Sequence, residues 1–282
     1  MRKNGKCLHR SVRLPYSEGG DTMSLIIRET EGAVGILTLN SEANLNAYNL
    51  DLGREFLSHV YDLSADGKIR CVVITGAGKA FSAGGDVKFM VEAARKEGEM
   101  MRMLIAYLHG TITEIRRMRK PVISAVNGIA AGAGIGLALS ADLVYASRDA
   151  SFHLAYQNIG LTPDGGATSF LTKQLGYHRT MELMLTGKPL MGEEAKSLGL
   201  VNSLFEGEEL IGAVREIARE ISCGPTLAFS RGKELFQRAF MENMETQLEL
   251  ERQNILKQSE TSDFIEGITA FMEKRPPRFE GK

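Results

Sequence analysis

The stretch Ile123–Gly136, ISAVNGIAAGAGIG, sets the tightest limit on how this chain can fold. Ile123–Val126 reads as a buried strand, and it passes through a turn almost free of side chains into an apolar helix running toward Ala141. Such a junction exposes backbone N–H groups, because the first turn of a helix has donors without internal partners and carries partial positive charge. A second turn of this kind, FSAGGD at Phe81–Asp86, follows another apolar strand. Two such turns meeting at one point would form a cradle for a negatively charged oxygen, made entirely of main chain.

The rest of the chain alternates strand and helix. Strand patterns occupy Leu25–Arg28, Val34–Leu39, Cys71–Thr75, Val122–Val126 and Leu143–Ala146, with a short one near Leu200–Leu204. Helical spacing of apolar residues covers Leu50–Leu63 and a long stretch from Val87 to Met118, with a break near Gly98. After Ala167 helices dominate: Thr168–Leu175, His178–Leu185, Gly192–Leu198, Glu208–Ile221, Leu227–Met244, Glu245–Gln258 and Ser262–Glu273. This order predicts an α/β core over 23–206 and a helical C-terminal subdomain over 207–282. Residues 1–22 are basic, lack an apolar face, and read as a flexible leader.

Composition narrows the function. With 34 Lys and Arg against 35 Asp and Glu, the chain has no charge argument for nucleic acid or an anionic membrane. Its longest apolar run is interrupted by Ser124, Asn127 and glycines, and therefore reads as core rather than as a membrane span. Cys7, Cys71 and Cys223 are too dispersed for a disulfide framework or a zinc site, so no metal is expected. A cytoplasmic location fits that cysteine usage.

Several blocks in order carry a resemblance: LNSEANLNAYN at 39–49, GAGKAFSAGGDVK at 76–88, KPVISAVNGIAAGAGIGLALSADLVYA at 120–146, IGLTPDGG at 159–166, and the ending TSDFIEGITAFMEKRPPRFEGK. On these the chain resembles the crotonase superfamily of enoyl-CoA hydratases and isomerases over nearly all of 23–282. The resemblance implies a spiral of ββα repeats with a C-terminal helical part that organises a trimer or a dimer of trimers. It also implies an acyl-CoA substrate and no prosthetic group, coenzyme A entering only as part of that substrate. By resemblance, the donors to the thioester oxygen are Gly85 and Ala133. Coenzyme A would lie along Ala43, Asn44 and Leu45 and along Ala83, Asp86, Val87 and Lys88, with Phe271 and Lys274 closing over it, sometimes from a neighbouring subunit. Asp86 also reads as the cap of the helix starting at Val87, and Phe271 as a possible core anchor.

The departures bear on the reaction. Hydratases of the family use two glutamates, because adding water across a double bond requires one group to deprotonate water and another to protonate carbon. The matching positions here are Gly136 and Tyr156. The remaining carboxylate is Asp164, where several family isomerases carry an acid. Moving a double bond from the 3- to the 2-position requires only one base, which takes a proton from C2 and returns it at C4. Ile159, Leu161, Ala167 and Phe170 are expected to give Asp164 the apolar surroundings such a shuttle requires. Asp164 also suits a turn or a helix cap, Tyr156 can supply a hydroxyl or only pack, and His153 alternates with apolar residues as a structural histidine would. The reading is therefore an enoyl-CoA isomerase. Its alternatives are a hydratase or another enolate chemistry such as thioester hydrolysis or decarboxylation, and a non-catalytic acyl-CoA- or RNA-binding homologue. One family branch binds RNA through a row of lysines, and the matching helix, Leu50–Leu63, contains no lysine.

Overall fold

The structure, a computed structural model, describes residues 24–95 and 98–282. The expected leader and Cys7 lie outside the described residues. Among the described residues ten strands fall into two sheets. The larger has the order β1 (Ile26–Glu31), β2 (Val34–Leu39), β3 (Cys71–Gly76), β5 (Val122–Val126), β7 (Leu143–Ser147), β10 (Ser203–Phe205). The smaller has the order β4 (Ala80–Ser82), β6 (Ile129–Ala131), β8 (Ser151–His153), β9 (Leu190–Met191).

The two sheets are wound together. β3, β5 and β7 run parallel in the large sheet, with Val73 beside Ile123 and Ser124 beside Val144. Each is followed within a few residues by a strand of the small sheet, β4, β6 and β8, and these are parallel as well. Helices complete each winding: α2 (Val87–Ala94) and α3 (Glu99–Arg117) after β4, α4 (Ala133–Leu139) after β6, α5 (Ala167–Leu175) and α6 (Tyr177–Thr186) after β8. This is the ββα spiral that the resemblance implied. The small-sheet strands are only two or three residues long, too short to produce a two-residue periodicity; β4 and β6 fall in or beside the segments read as turns, and β8 and β9 carry no strand assignment in the sequence reading.

Both faces of the large sheet are covered, so its strands read as unbroken apolar runs. Val72, Ile74, Val122 and Val126 face the main core with α1 (Leu50–Ala65), while Cys71, Val73, Ile123 and Ala125 face the opposite way. That second face is covered by Leu210, Val214 and Ala218 of α8 (Leu210–Ser222), spaced one helical turn apart. Thus α8, within the helix-rich segment 207–282, is a layer of the sheet. Beyond it α9 (Thr226–Arg238), α10 (Met244–Ser259) and α11 (Ser262–Glu273) carry many exposed apolar side chains, among them Phe236, Met244, Ile255 and Ile265. The long helical stretch from Val87 is broken near Gly98, as expected: α2 ends at Ala94, and Gly98, with φ 77°, stands at the N-cap of α3.

Candidate active site

Each of the three windings brings one element to the same edge of the small sheet. The residues just after β4 carry Gly85, those just after β6 carry Ala133, and the loop after β8 carries Tyr156 and Asp164.

Gly85 owes the orientation of its amide to Tyr48. The Tyr48 N–H donates to the Gly84 carbonyl at 2.6 Å, and the Asp86 N–H donates to the Tyr48 carbonyl at 3.0 Å. In such a parallel bridge the intervening residue's own N–H points away from the partner strand, so Gly85 presents its donor on the opposite side. Asp86 then caps α2, its Oδ1 accepting from the Lys88 and Phe89 N–H groups and its Oδ2 from Asn44 Nδ2 at 2.9 Å. This cap joins the segment at 42–46 to the turn at 83–88. Ala43, Leu45, Val87 and Lys88 are exposed beside that link, while Ala83 is half-buried and its N–H donates to the Leu45 carbonyl.

Ala133 opens α4 and is buried. Gly132 before it has φ 50° and donates its N–H to the His153 carbonyl at 2.9 Å, which ties this turn to β8. The His153 ring bonds to Ser151 Oγ at 2.9 Å, and burial holds it below the ordinary histidine value.

The two turns touch. A Cβ placed on Gly84, whose φ is 86°, would lie 2.6 Å from the Ala131 carbonyl oxygen and 3.3 Å from the Ala133 nitrogen. Only a residue without a side chain permits this approach.

Tyr156 is buried and its hydroxyl donates to Asp164 Oδ1 at 2.7 Å. Burial, followed by the Asp164 charge and this hydrogen bond, pushes the phenol well above its usual range, so it stays protonated and serves as a donor. Asp164 Oδ2 faces His109 of α3 at 4.0 Å, and His109 Nε2 accepts from the Gly165 N–H at 3.3 Å. His109 escaped sequence reading: it lies on the long amphipathic stretch beside Leu108 and Ile112, with nothing local to single it out. The expectation of an apolar wall around Asp164 is corrected here. Ile159 and Leu161 are 47% and 40% exposed, Ala167 is buried, Phe170 packs beneath Gly166 and against Arg116, and the polar groups facing the carboxylate are a hydroxyl and an imidazole.

Gly136 is fixed by the same loop. Any Cβ there would run into the carbonyl oxygen of Gly165, so the turn carrying Asp164 fills the space a side chain at 136 would need.

A sequence model described as enoyl-CoA hydratase/isomerase matches residues 29–282. The chain belongs to the enoyl-CoA hydratase/isomerase family. Its relatives include a 1,2-epoxyphenylacetyl-CoA isomerase of Escherichia coli, 34% identical over 92% of this chain and 100% of that protein. Another is a short-chain-enoyl-CoA hydratase of Clostridium acetobutylicum, 33% identical over 89% of this chain and 95% of that one. Among solved structures, an enoyl-CoA hydratase from Polaromonas sp. JS666 superposes with a TM-score of 0.87 at 33% identity, covering 90% of this chain and 99% of that one. The fold is therefore that of the crotonase superfamily, whose members here include both isomerases and hydratases.

Phe271 and Lys274 lie on and just after α11, and both are exposed, Phe271 at 85%. Phe271 is thus no anchor of this chain's core. Among the described residues no group of His, Cys, Asp and Glu is arranged to hold a metal ion, and no helix is long and apolar enough to cross a membrane.

Proposed function

We propose that this protein is an acyl-CoA isomerase that moves a 3-enoyl double bond to the 2-position with Asp164 as the single proton shuttle. The observation that carries this reading is the packing of Gly136 against Gly165 together with the Tyr156–Asp164 hydrogen bond. The positions at which the family's hydratases use glutamates supply no carboxylate, and the one near them is oriented by a neutral donor.

In this reading the thioester oxygen accepts from the Gly85 and Ala133 N–H groups. Asp164 Oδ2 removes a C2 proton, the electrons move onto the thioester oxygen as a dienolate, and the acid so formed protonates C4. Each backbone donor is worth about 2.7–4 kcal/mol to the charged intermediate, by comparison with other oxyanion holes. Tyr156 keeps Oδ1 occupied and Oδ2 free. Coenzyme A lies along the Asn44–Asp86 link, with Lys88 near its phosphates. The exposed apolar faces of α9–α11 pack against further copies of the chain in a trimer or dimer of trimers, where Phe271 and Lys274 cover a neighbour's coenzyme A.

Purified protein given a 3-enoyl-CoA is expected to accumulate the 2-enoyl-CoA. Asp164→Ala should lower the rate by at least about 10²-fold, the usual contribution of a general base, while acyl-CoA binding persists. Accumulation of a 3-hydroxyacyl-CoA would make the protein a hydratase, and an unchanged rate in Asp164→Ala would remove that residue from the reaction.

A further inference from the structure

The two oxygens of Asp164 have different surroundings. Oδ1 is held by the buried Tyr156 hydroxyl at 2.7 Å, whereas Oδ2, the oxygen left to take a substrate proton, faces His109 Nε2 at 4.0 Å. Side-chain exposure rises outward along this line, from 32% at Asp164 to 51% at His109. α3 is pressed against the turn through Leu108 and Ile112, which lie 3.5 and 3.3 Å from a Cβ built on Gly165, so His109 is carried on a rigid element. Its Nε2 accepts from the Gly165 N–H, and that nitrogen therefore carries a lone pair and the ring proton sits on Nδ1. At 3.3 Å this hydrogen bond is long, and giving it up costs little.

We infer that His109 is the port through which a proton held by Asp164 exchanges with water. The inference rests on the isomerase reading. The C2–H bond breaks, its electrons pass to the thioester oxygen, and an O–H bond forms on Oδ2. A small rotation of Asp164 closes the 4.0 Å gap, or one water bridges it. The O–H bond then breaks as an N–H bond forms on Nε2, and the resulting imidazolium releases that same Nε2 hydrogen to a solvent water, which restores the Nδ1–H tautomer. The reverse sequence returns a solvent hydrogen to Asp164 and from there to C4. No oxidant or co-reactant is needed. Tyr156 stays protonated and buried, and Asp164 is less exposed than His109, so the imidazole is the main route by which the carboxyl exchanges during the life of the dienolate.

The test follows label. A 3-enoyl-CoA carrying deuterium at C2 is converted in ordinary water, and deuterium at C4 of the product is measured by mass spectrometry per molecule formed, with enzyme raised until all variants yield equal product. For the parent protein most turnovers should lose the label. His109→Gln keeps an acceptor for the Gly165 N–H but cannot ionise, and His109→Phe has neither property. Both should carry the label from C2 to C4 several-fold more often, with melting curves confirming that they are folded. Equal retention in all three overturns the port. Loss of label in His109→Gln as in the parent, with only His109→Phe differing, also overturns it and leaves His109 a support for the turn. Absence of any 2-enoyl product from the parent refutes the isomerase reading, and the port with it. Isomerisation with unchanged label partition refutes the port alone.

Discussion

Replacing Gly84 with alanine probes the contact on which the two donor turns depend. Two penalties are expected. The first is conformational: φ is 86°, a region that costs an L-residue about 1–2 kcal/mol. The second is steric, since the new Cβ would sit 2.6 Å from the Ala131 carbonyl oxygen where ordinary contact begins near 3.4 Å, so the turns must part by 0.8 Å (3.4 less 2.6). Overpacking of this order adds about 1–3 kcal/mol. Gly32, in the turn between β1 and β2, separates the two, because its φ is 58° but a Cβ there has nothing within 4 Å. Gly32→Ala should incur only the first penalty, and Gly84→Ala both. With about 2–4 °C of melting temperature per kcal/mol in large domains, the difference is readily resolved by thermal unfolding. Moving the Gly85 and Ala133 amides apart by most of an ångström should also cost about 10²-fold in kcat, close to 2.7 kcal/mol of barrier, whereas Gly32→Ala should leave kcat alone. Equal melting temperatures and equal rates for the two variants would refute the argument that the turns meet through Gly84.

Other consequences can be checked independently. Tyr156→Phe leaves Asp164 Oδ1 without its donor, and should lower kcat with little change in acyl-CoA affinity. A hydrogen bond to a charged group is typically worth about 1.5–3 kcal/mol, and steady-state kinetics would detect a loss of that size. Arg70 donates to Thr226 Oγ1, to the Phe279 carbonyl and to the Gly224 carbonyl, tying the start of α9 and the chain's end to the loop before β3. Arg70→Ala should therefore expose the C-terminal segment to limited proteolysis before the core. Burial lowers the proton affinity of both His59 and His153. The unfolded chain then binds their protons first as pH falls, so stability should decline from about pH 6.5 downward until the folded histidines titrate. His153→Gln should flatten that decline in denaturant titrations at stepped pH. Burial raises the Cys71 thiol to about 12, with Asp142 adding to the shift, whereas Cys223 is exposed. Thiol reagents should label Cys223 in the native protein and Cys71 only on unfolding.

What the residues revealed depended on how local the signal was. The long strands and the helices of the core were legible because both sheet faces are covered and runs such as Cys71–Thr75 are apolar throughout. Helix starts carried their own marks, as with Asn49, whose side chain accepts from the Leu52 N–H, and Thr261, which does the same for Phe264. The small sheet was not legible: strands of two or three residues owe their existence to pairing with the neighbouring winding rather than to propensity. The same holds for the site. Gly85, Ala133 and Asp164 could be singled out from glycine-rich spacing and from the resemblance. His109 could not, because its partner Gly165 is 56 residues away and the surrounding helix looks like any amphipathic one. The hydroxyl of Tyr156 was visible, but not that it would be aimed at Asp164.

That the space a side chain at Gly136 would need is filled by Gly165 makes reaction type, on the proposed reading, a property of two windings at once. Grafting the loop 154–166 of a hydratase onto this scaffold would leave position 136 bare, and planting a glutamate at 136 alone would drive out the backbone beside Asp164. On the isomerase reading proposed above, a crossover between the two chemistries on this framework must exchange both elements in a single move, while the Gly85 and Ala133 amides proposed to hold the carbonyl need not change at all.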